Sequence, residues 1–239
     1  MKRHELGQHY LIDGNVVKKM VSAADVRSNE LVLEIGTGRG ILTSELARTC
    51  KRLEGYEVDP LNLSATARAV GAANVKLRLA DVFRARPVFD VLVSSLPYSR
   101  SAEFIDWLSQ RNYRRAVVLL QEDFVEKILS PPGSRDYRAV SVIAQISSDI
   151  RLGDKVGREA FSPQPKVDSR ITTFLPKTRL LKSQLVSIKR LFALRRRTLA
   201  SAFEETGFGR QAGVGWPSER VNQLTPSEVY QVICMDSGA

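Results

Sequence analysis

Short apolar runs recur along the first half of the chain, and stretches with helical spacing separate them. The apolar runs predict strands near residues 31–35, 53–57, 75–79, 89–94 and 115–120. Strands that alternate with helices are typical of parallel sheets, because each crossover connection carries a helix. The pattern therefore predicts an α/β fold with a doubly wound, mostly parallel sheet.

The pattern changes in the second half of the chain. A helix near 137–148 is predicted to precede two further strands, about 149–156 and 169–175. Pro176 then marks a linker, and the remainder is predicted to be helical. We therefore expect two domains, one over residues 1–176 that holds the sheet and a small all-helical one over 177–239.

A glycine-rich turn follows the first strand of the predicted sheet. It reads Gly36-Thr37-Gly38-Arg39-Gly40, and glycines let a backbone turn sharply and approach a ligand closely. The spacing differs from the G-x-G-x-x-G of dinucleotide-binding proteins, which disfavours a nicotinamide enzyme. Glu34 just before the turn suits a cationic ligand without phosphates, and S-adenosylmethionine is such a ligand.

Acidic residues also stand at the ends of the next two strands. Glu57 ends the second strand, where a carboxylate is placed to accept ribose hydroxyls. Asp81 follows the third strand and could accept from an adenine amino group, while apolar neighbours such as Val82 cover the ring. Each acid alone is more simply a solvated loop residue. Their recurrence behind a glycine turn favours a bound adenosyl cofactor.

The fourth strand runs into Ser95-Leu96-Pro97-Tyr98. The Ser95 side chain and the Leu96 carbonyl can accept hydrogen bonds from an exocyclic amino group, and Tyr98 can stack on the ring that carries it. Amino-group methyltransferases that act on adenine or cytosine use this arrangement, with Asn, Asp or Ser first. A strand end with a proline turn is the simpler alternative, and the cofactor pattern upstream decides against it.

The charge balance indicates the kind of partner. The chain of 239 residues has a net charge of +10, and a nucleic acid is the common partner of so basic a protein. A generally basic proteome or a high-salt cytosol is the alternative, but the cations are clustered. Eight fall within one short stretch: Lys177, Arg179, Lys182, Lys189, Arg190, Arg195, Arg196 and Arg197.

Several classes of protein are disfavoured by the sequence. No apolar run approaches the ~18 residues of a membrane span, and the N-terminal residues lack the apolar core of a signal peptide. Cys50 and Cys234 lie far apart, without metal-ligand spacing. We therefore expect a cytoplasmic protein with no metal and no membrane partner.

The motifs together resemble one family, the ribosomal RNA adenine N6,N6-dimethyltransferases (the KsgA/Dim1 group), in a short form of archaeal type. The most specific match is Phe161-Ser162-Pro163-Gln164-Pro165-Lys166-Val167-Asp168-Ser169. The other matching segments are Gly7-Gln8-His9-Tyr10-Leu11, Glu34-Ile35-Gly36-Thr37-Gly38, Leu191-Phe192 with Arg195-Arg196-Arg197-Thr198-Leu199, and Arg220-Val221-Asn222-Gln223-Leu224-Thr225.

The resemblance implies a Rossmann-like class I methyltransferase with a helical RNA-binding domain. It implies a monomer that transfers methyl groups from S-adenosylmethionine to two adjacent adenosines near the 3′ end of small-subunit rRNA, in a pre-ribosomal particle. The implied catalytic residues are Ser95, Leu96, Pro97, Tyr98 and Phe161, of which Phe161 could instead be a core aromatic. The implied cofactor-binding residues are His9, Leu11, Gly36, Gly38, Glu57, Asp81, Val82 and Ser95. The expected RNA-binding residues are Lys189, Arg190, Arg195, Arg196 and Arg197.

One departure from the family pattern leaves alternatives open. The family usually has Asn-Leu-Pro-Tyr-Asn, whereas this chain has serine at both ends of that motif, Ser95 and Ser99. Whether one or two methyls are added is therefore open. The alternatives are a large-subunit rRNA adenine methyltransferase of the antibiotic-resistance type and an assembly factor that binds the pre-ribosome without catalysis. A small-molecule methyltransferase is disfavoured by the clustered arginines.

Overall fold

The structure, a computed structural model, describes residues 9–207 and 219–236. Contacts divide these residues into two compact units. The first, the sheet unit, takes in residues up to 104 together with 112–122 and 150–176. The second, the helical unit, takes in 105–111, 123–149 and the residues from 177 onward.

A seven-stranded sheet organises the sheet unit. In chain order its strands are β2 (Leu31–Ile35), β3 (Arg52–Glu57), β4 (Val75–Leu79), β5 (Val91–Ser95), β6 (Arg115–Gln121), β7 (Ser148–Val156) and β9 (Ser169–Pro176). The spatial order is β4-β3-β2-β5-β6-β9-β7. The first five strands in this order pair in parallel, and β9 pairs antiparallel with β6. The predicted Rossmann-like, mostly parallel fold is confirmed.

A second sheet, of two short strands, joins distant parts of the sequence. Its strands are β1 (Tyr10–Leu11) and β8 (Phe161–Ser162), and they pair antiparallel with Leu11 opposite Phe161. This pairing brings the N-terminal motif beside the Phe-Ser-Pro motif. The N-terminal residues Gly7 and Gln8 of the first motif lie outside the described residues.

Helices complete both units. Those before β7 are α1 (Gly14–Ala24), α2 (Ile41–Thr49), α3 (Pro60–Val70), α4 (Ser101–Leu108), α5 (Glu122–Ile128) and α6 (Ala139–Ser147). The core of the sheet unit forms where the buried face of α1, which includes Val17 and Met20, packs with Val32, Val91 and Val117 of the strands. Burying aliphatic side chains of this size stabilises the fold by roughly 1.5–3 kcal/mol each.

The helical unit is built on α7 (Lys182–Ala193), α8 (Leu199–Thr206) and α9 (Pro226–Asp236), together with α6. At its centre lies Tyr137, which is fully buried, donates its hydroxyl to the carbonyl oxygen of Leu224 (3.0 Å) and meets Phe192 edge to face. Glu228 accepts from the backbone N–H of Thr225 (2.7 Å), which completes a capping box at α9.

The two units do not divide the chain at the boundary that the sequence predicts. Segments 105–111 and 123–149 belong to the helical unit, whereas the predicted boundary places them in the domain that ends at 176. The reason is that α6 packs on α7 and α9. Periodicity shows that a helix has an apolar face but not which neighbour covers it. Among the described residues, none of the helices has the length and apolar character needed to cross a membrane.

Candidate active site

The glycine turn after β2 needs glycine for steric reasons. Gly36, Gly38 and Gly40 have φ values of 75°, 54° and 87°, in the left-handed region that favours glycine. A Cβ atom on Gly38 would lie 3.4 Å from the ring of Tyr10, and one on Gly40 would lie 3.2 Å from the Cα of Thr66. The turn therefore packs closely against its neighbours and exposes backbone rather than side chains.

Glu57 fastens this turn to the end of β3. Its side chain is buried, and its carboxylate accepts backbone N–H groups from Gly38 (2.9 Å), Val58 (2.8 Å) and Asp59 (2.9 Å). A carboxylate offers about four acceptor positions. Three are used within the protein, so Glu57 has a structural role and still retains capacity to accept from a ligand hydroxyl.

Glu34 lies in the interior of the sheet unit. The sequence predicts that Glu34 suits a cationic ligand without phosphates, but its side chain is completely buried and is not exposed to a ligand. Neither carboxylate oxygen has a hydrogen-bond partner among the described residues. The pKa of Glu34 is raised to about 8, mainly by burial; the neighbouring Thr43 hydroxyl opposes this rise, and the Glu57 carboxylate adds a smaller contribution to it. Glu34 is therefore a core carboxyl that is mostly protonated at neutral pH.

A cavity of about 180 Å³ lies beside the glycine turn, entirely within the sheet unit. It gathers residues from the ends of four neighbouring strands. The predicted site residues that line it are His9, Gly36, Gly38, Glu57, Asp81, Val82, Ser95, Leu96 and Pro97. The carboxyl ends of parallel strands meet at one edge of a sheet, which is where ligands bind in open α/β folds.

Two of the predicted site residues lie in the hydrophobic core instead. Leu11 and Phe161 are buried there and do not line the cavity. Successive side chains of a strand point to opposite sides, so the pairing of β1 with β8 directs Leu11 to the core and Tyr10 to the cavity. Phe161 meets Tyr98 with a centroid distance of 6.3 Å and an edge-on angle of 68°, so it supports that ring from within the core.

Tyr98 is held from several sides. Its hydroxyl lies 2.7 Å from the hydroxyl of Ser169, and the ring of His9 stacks against it at 5.6 Å between centroids. The Nδ1 atom of His9 lies 2.8 Å from the carbonyl oxygen of Pro163. Burial raises the pKa of Tyr98. These contacts fix the orientation of an aromatic ring next to the cavity.

Ser95 ends β5 at the edge of the cavity. The preceding residue, Ser94, is fully buried and donates its hydroxyl to the carbonyl oxygen of Ile35 (2.7 Å). Because side chains alternate along a strand, Ser95 faces the other way and lines the cavity. The turn that follows is closed by the backbone N–H of Arg100, which donates to the carbonyl oxygen of Pro97 (2.9 Å).

The cavity also contains residues that are not among the predicted site residues. Tyr10 donates its hydroxyl to Asn62 of α3 (3.2 Å), and the guanidinium of Arg39 lies 4.6 Å from the centre of the Tyr10 ring. Phe83 and Arg100 line the cavity beside Asp81. Arg100 belongs to no recognised motif, and only its position two residues after Tyr98 could have pointed to it.

The predicted RNA-binding cations differ in their surroundings. Lys189 forms an ion pair with Asp106, and Arg197 forms one with Glu205 (2.8 Å). Arg190 donates to the carbonyl oxygen of Thr206 (2.9 Å). All of these residues lie in the helical unit. Three of the five predicted cations therefore already have partners within the protein.

Arg195 and Arg196 have a different environment. Burial lowers the pKa of Arg195, and the like charges of Arg138 and Arg196 lower it further. Arg138, Arg195 and Arg196 therefore form a cluster of positive charge, to which Arg138 contributes from a distant part of the sequence. Among residues 9–207 and 219–236, no cluster of three or more His, Cys, Asp or Glu side chains is placed to hold a metal ion.

Comparison with solved structures identifies the fold. The dimethyladenosine transferase of Plasmodium falciparum superposes with a TM-score of 0.80 and 24% identity, covering 94% of this chain and 96% of that one. The 23S rRNA methyltransferase ErmE superposes with a TM-score of 0.67 and 23% identity, covering 95% and 99% of the two chains. At this level of identity the likeness concerns the fold alone.

Comparison of sequences identifies the family. The "Probable ribosomal RNA small subunit methyltransferase A" of Thermococcus gammatolerans is 32% identical over 95% of this chain and 86% of that protein. The ribosomal RNA small subunit methyltransferase A of Thermotoga maritima is 32% identical over 97% and 84% of the two chains. A family model described as ribosomal RNA adenine dimethylase matches residues 1–233. Since that match spans nearly the whole chain, the chain belongs to the ribosomal RNA adenine dimethylase family of S-adenosylmethionine-dependent methyltransferases.

Proposed function

We propose that this protein transfers methyl groups from S-adenosylmethionine to the N6 atoms of two adjacent adenosines near the 3′ end of small-subunit rRNA, within a pre-ribosomal particle. The observation that carries the proposal is one cavity that two carboxylates, Glu57 and Asp81, share with the Ser95-Leu96-Pro97 turn. The names of the relatives from Thermococcus and Thermotoga support the small subunit as the substrate.

The residues around the cavity fit an adenosyl ligand. Glu57 retains acceptor capacity for a ribose hydroxyl, and Asp81 is the acceptor for the adenine amino group. Val82 and Phe83 supply apolar surface for the ring. The glycine turn lets the backbone approach closely, and His9 serves the methionine end, in the role implied by the family resemblance. Tyr10 takes the place that the family resemblance implies for Leu11.

The chemistry requires alignment more than it requires an acid or a base. S-adenosylmethionine supplies a methyl group activated by its sulfonium, and correct positioning of reactants can supply about 7–11 kcal/mol of the barrier. Ser95 and the Leu96 carbonyl accept hydrogen bonds from the target amine, which favours a lone pair localised on nitrogen. Tyr98 stacks on the base once it is flipped out of the RNA. The displaced proton leaves to solvent.

The helical unit is proposed to hold the RNA backbone. Arg195 and Arg196 are the main phosphate contacts in this proposal, because Lys189, Arg190 and Arg197 have partners within the protein. Contacts to phosphate position a nucleic acid without reading its sequence. The protein is proposed to act as a monomer.

Methylation of isolated ribosomal subunits tests the proposal. The protein is incubated with labelled S-adenosylmethionine and with small or large subunits from a strain that lacks the modification, and the modified nucleotides are then mapped. We expect dimethyladenosine at two adjacent positions near the 3′ end of small-subunit rRNA. Label confined to the large subunit, or absent from both, would overturn the assignment.

A further inference from the structure

Arg100 has an unusual position for a cation, beside the carboxylate that the proposed function gives to the adenine. Its Nη2 atom lies 3.1 Å from Oδ2 and 3.3 Å from Oδ1 of Asp81. Its guanidinium carbon lies 4.4 Å from the centre of the Phe83 ring. Asp81, Phe83 and Arg100 all line the cavity.

The Arg100 side chain is fixed in place by several contacts. Its Nε atom donates to Glu103 one helical turn further on (2.7 Å), and its guanidinium lies over the face of Phe83. Its backbone N–H closes the turn that begins at Pro97. Only 28% of the side chain is exposed. Contacts on this many sides favour a fixed group over one that swings in and out of the cavity.

Arg100 leaves Asp81 able to accept from a ligand. The Oδ1 atom of Asp81 also accepts the backbone N–H of Phe83 (3.1 Å). A carboxylate has about four acceptor positions, so the three contacts from Phe83 and Arg100 leave one position unused. Because the Nη2 atom of Arg100 contacts both oxygens, this charge-assisted contact holds the orientation of the carboxylate. An ionised carboxylate is an acceptor only, so it discriminates in favour of an N–H donor.

We propose that Arg100 is a positioning residue that sets the selectivity of the cofactor site for a 6-aminopurine. It does so by holding Asp81 in the orientation that accepts from the 6-amino group. The inference rests on the proposed function, because it takes the adenosyl group to lie at Asp81. It adds that recognition of the amino group depends on a residue carried by the same turn as Tyr98.

This role is tested by removing the Arg100 side chain and the 6-amino group of the ligand, separately and together. The affinities of S-adenosylhomocysteine and of its analogue without the 6-amino group are measured by calorimetry for the wild type, Arg100→Ala and Arg100→Lys. The wild type is expected to prefer the amino ligand by about tenfold or more, the effect of one hydrogen bond to a charged acceptor. Arg100→Ala should reduce the preference to about threefold or less and leave the affinity for the analogue unchanged. Arg100→Lys, which keeps the charge but not the planar guanidinium, should fall between them.

Arg84 offers a matched control. Its Nε atom lies 3.8 Å from Oδ2 of the same Asp81, but its side chain is 90% exposed. Arg84→Ala removes the same charge as Arg100→Ala but no hydrogen bond to Asp81. The preference of this variant for the amino ligand should therefore match that of the wild type. An equal loss of preference in Arg84→Ala and Arg100→Ala would show a general charge effect and overturn the positioning role.

Other outcomes separate this inference from the proposed function. If Arg100→Ala lowers the affinity for both ligands equally, Arg100 only shapes the cavity. If it raises the affinity for the amino ligand, Arg100 competes with that ligand for Asp81. Either result overturns the inference. Asp81→Ala removes the acceptor and should abolish the preference. If it does so while Arg100→Ala keeps the preference, the inference alone fails. If the wild type binds neither ligand, the proposed function fails as well.

Discussion

The hydroxyl group of Ser95 is the smallest group on which the proposed reaction depends. If it accepts from the target amine, Ser95→Ala should lower the rate of methyl transfer by about three- to tenfold, since a neutral hydrogen bond contributes about 0.5–1.5 kcal/mol. The affinity for S-adenosylhomocysteine should change little. Ser95→Asn restores the commoner family residue and should keep or raise the rate, most clearly for the second methyl. Initial rates of label incorporation and the ratio of monomethyl to dimethyl product measure both effects.

Tyr98 provides the comparison for Ser95. Loss of base stacking in Tyr98→Ala costs about 1–3 kcal/mol, so its rate should fall further than that of Ser95→Ala. Tyr98→Phe keeps the ring and removes only the contact with the Ser169 hydroxyl, so it should stay near the wild-type rate. If Ser95→Ala and Tyr98→Ala both match an active wild type, the target base does not bind at this turn.

The burial of Glu34 leads to a prediction about how the stability of the protein depends on pH, rather than about its activity. Its pKa is about 8 in the folded protein because of burial, against about 4.3 for an unfolded glutamate. Between these values the folded state holds a proton that the unfolded state has lost. The free energy of unfolding should therefore fall as pH rises through this window, by at most about 1.4 kcal/mol per pH unit. The loss ends above the folded pKa, where both states are ionised.

Glu34→Gln isolates this contribution, because glutamine is uncharged at every pH. Urea unfolding of the wild type and of Glu34→Gln at about pH 5.5 and about pH 7.5 gives the difference in the free energy of unfolding. The wild type should lose up to about 2 to 3 kcal/mol more than the variant between these conditions. Parallel pH profiles would show that Glu34 is ionised in the folded protein.

At the scale of elements, the sequence predicts best where periodicity is strong and burial is continuous. The prediction for β2 matches its observed bounds, residues 31–35. For β5 the predicted start, residue 89, precedes the observed start at Val91. Asp90 still contacts β2 just before the strand begins: its backbone N–H donates to the carbonyl oxygen of Leu31 (2.9 Å), and its carboxylate accepts the backbone N–H of Leu31 (2.8 Å).

Periodicity cannot predict short strands whose partners are distant in the sequence. Neither β1 nor β8 exceeds two residues, so neither shows a period, and their partners are about 150 positions apart. Only that pairing decides that Tyr10 lines the cavity while Leu11 joins the core. The site itself was predicted from residue types, namely the carboxylates at the strand ends and the residues of the Ser95 turn. Arg100 was missed because its role depends on distances to Asp81 and Phe83 rather than on any local pattern.

At the scale of the whole molecule, net charge alone does not locate an RNA-binding surface. The cations of the helical unit differ in whether an acidic side chain already neutralises them. Asp106 pairs with Lys189 and Glu205 pairs with Arg197, whereas Arg195 lies among like charges. Counterions released from RNA should therefore be replaced mainly by Arg195 and Arg196.

The salt dependence of RNA binding measures this difference. The logarithm of the affinity falls with the logarithm of salt concentration by about 0.7 to 0.9 per phosphate neutralised. Arg195→Ala with Arg196→Ala should therefore flatten the slope by about 1 to 2. The matched control, Lys189→Ala with Arg197→Ala, removes the same charge from residues that already have acidic partners, so its slope should change less. Affinities for an rRNA fragment across a series of salt concentrations give both slopes. An equal flattening in the two double variants, or none in either, would show that Arg195 and Arg196 are not the main phosphate contacts.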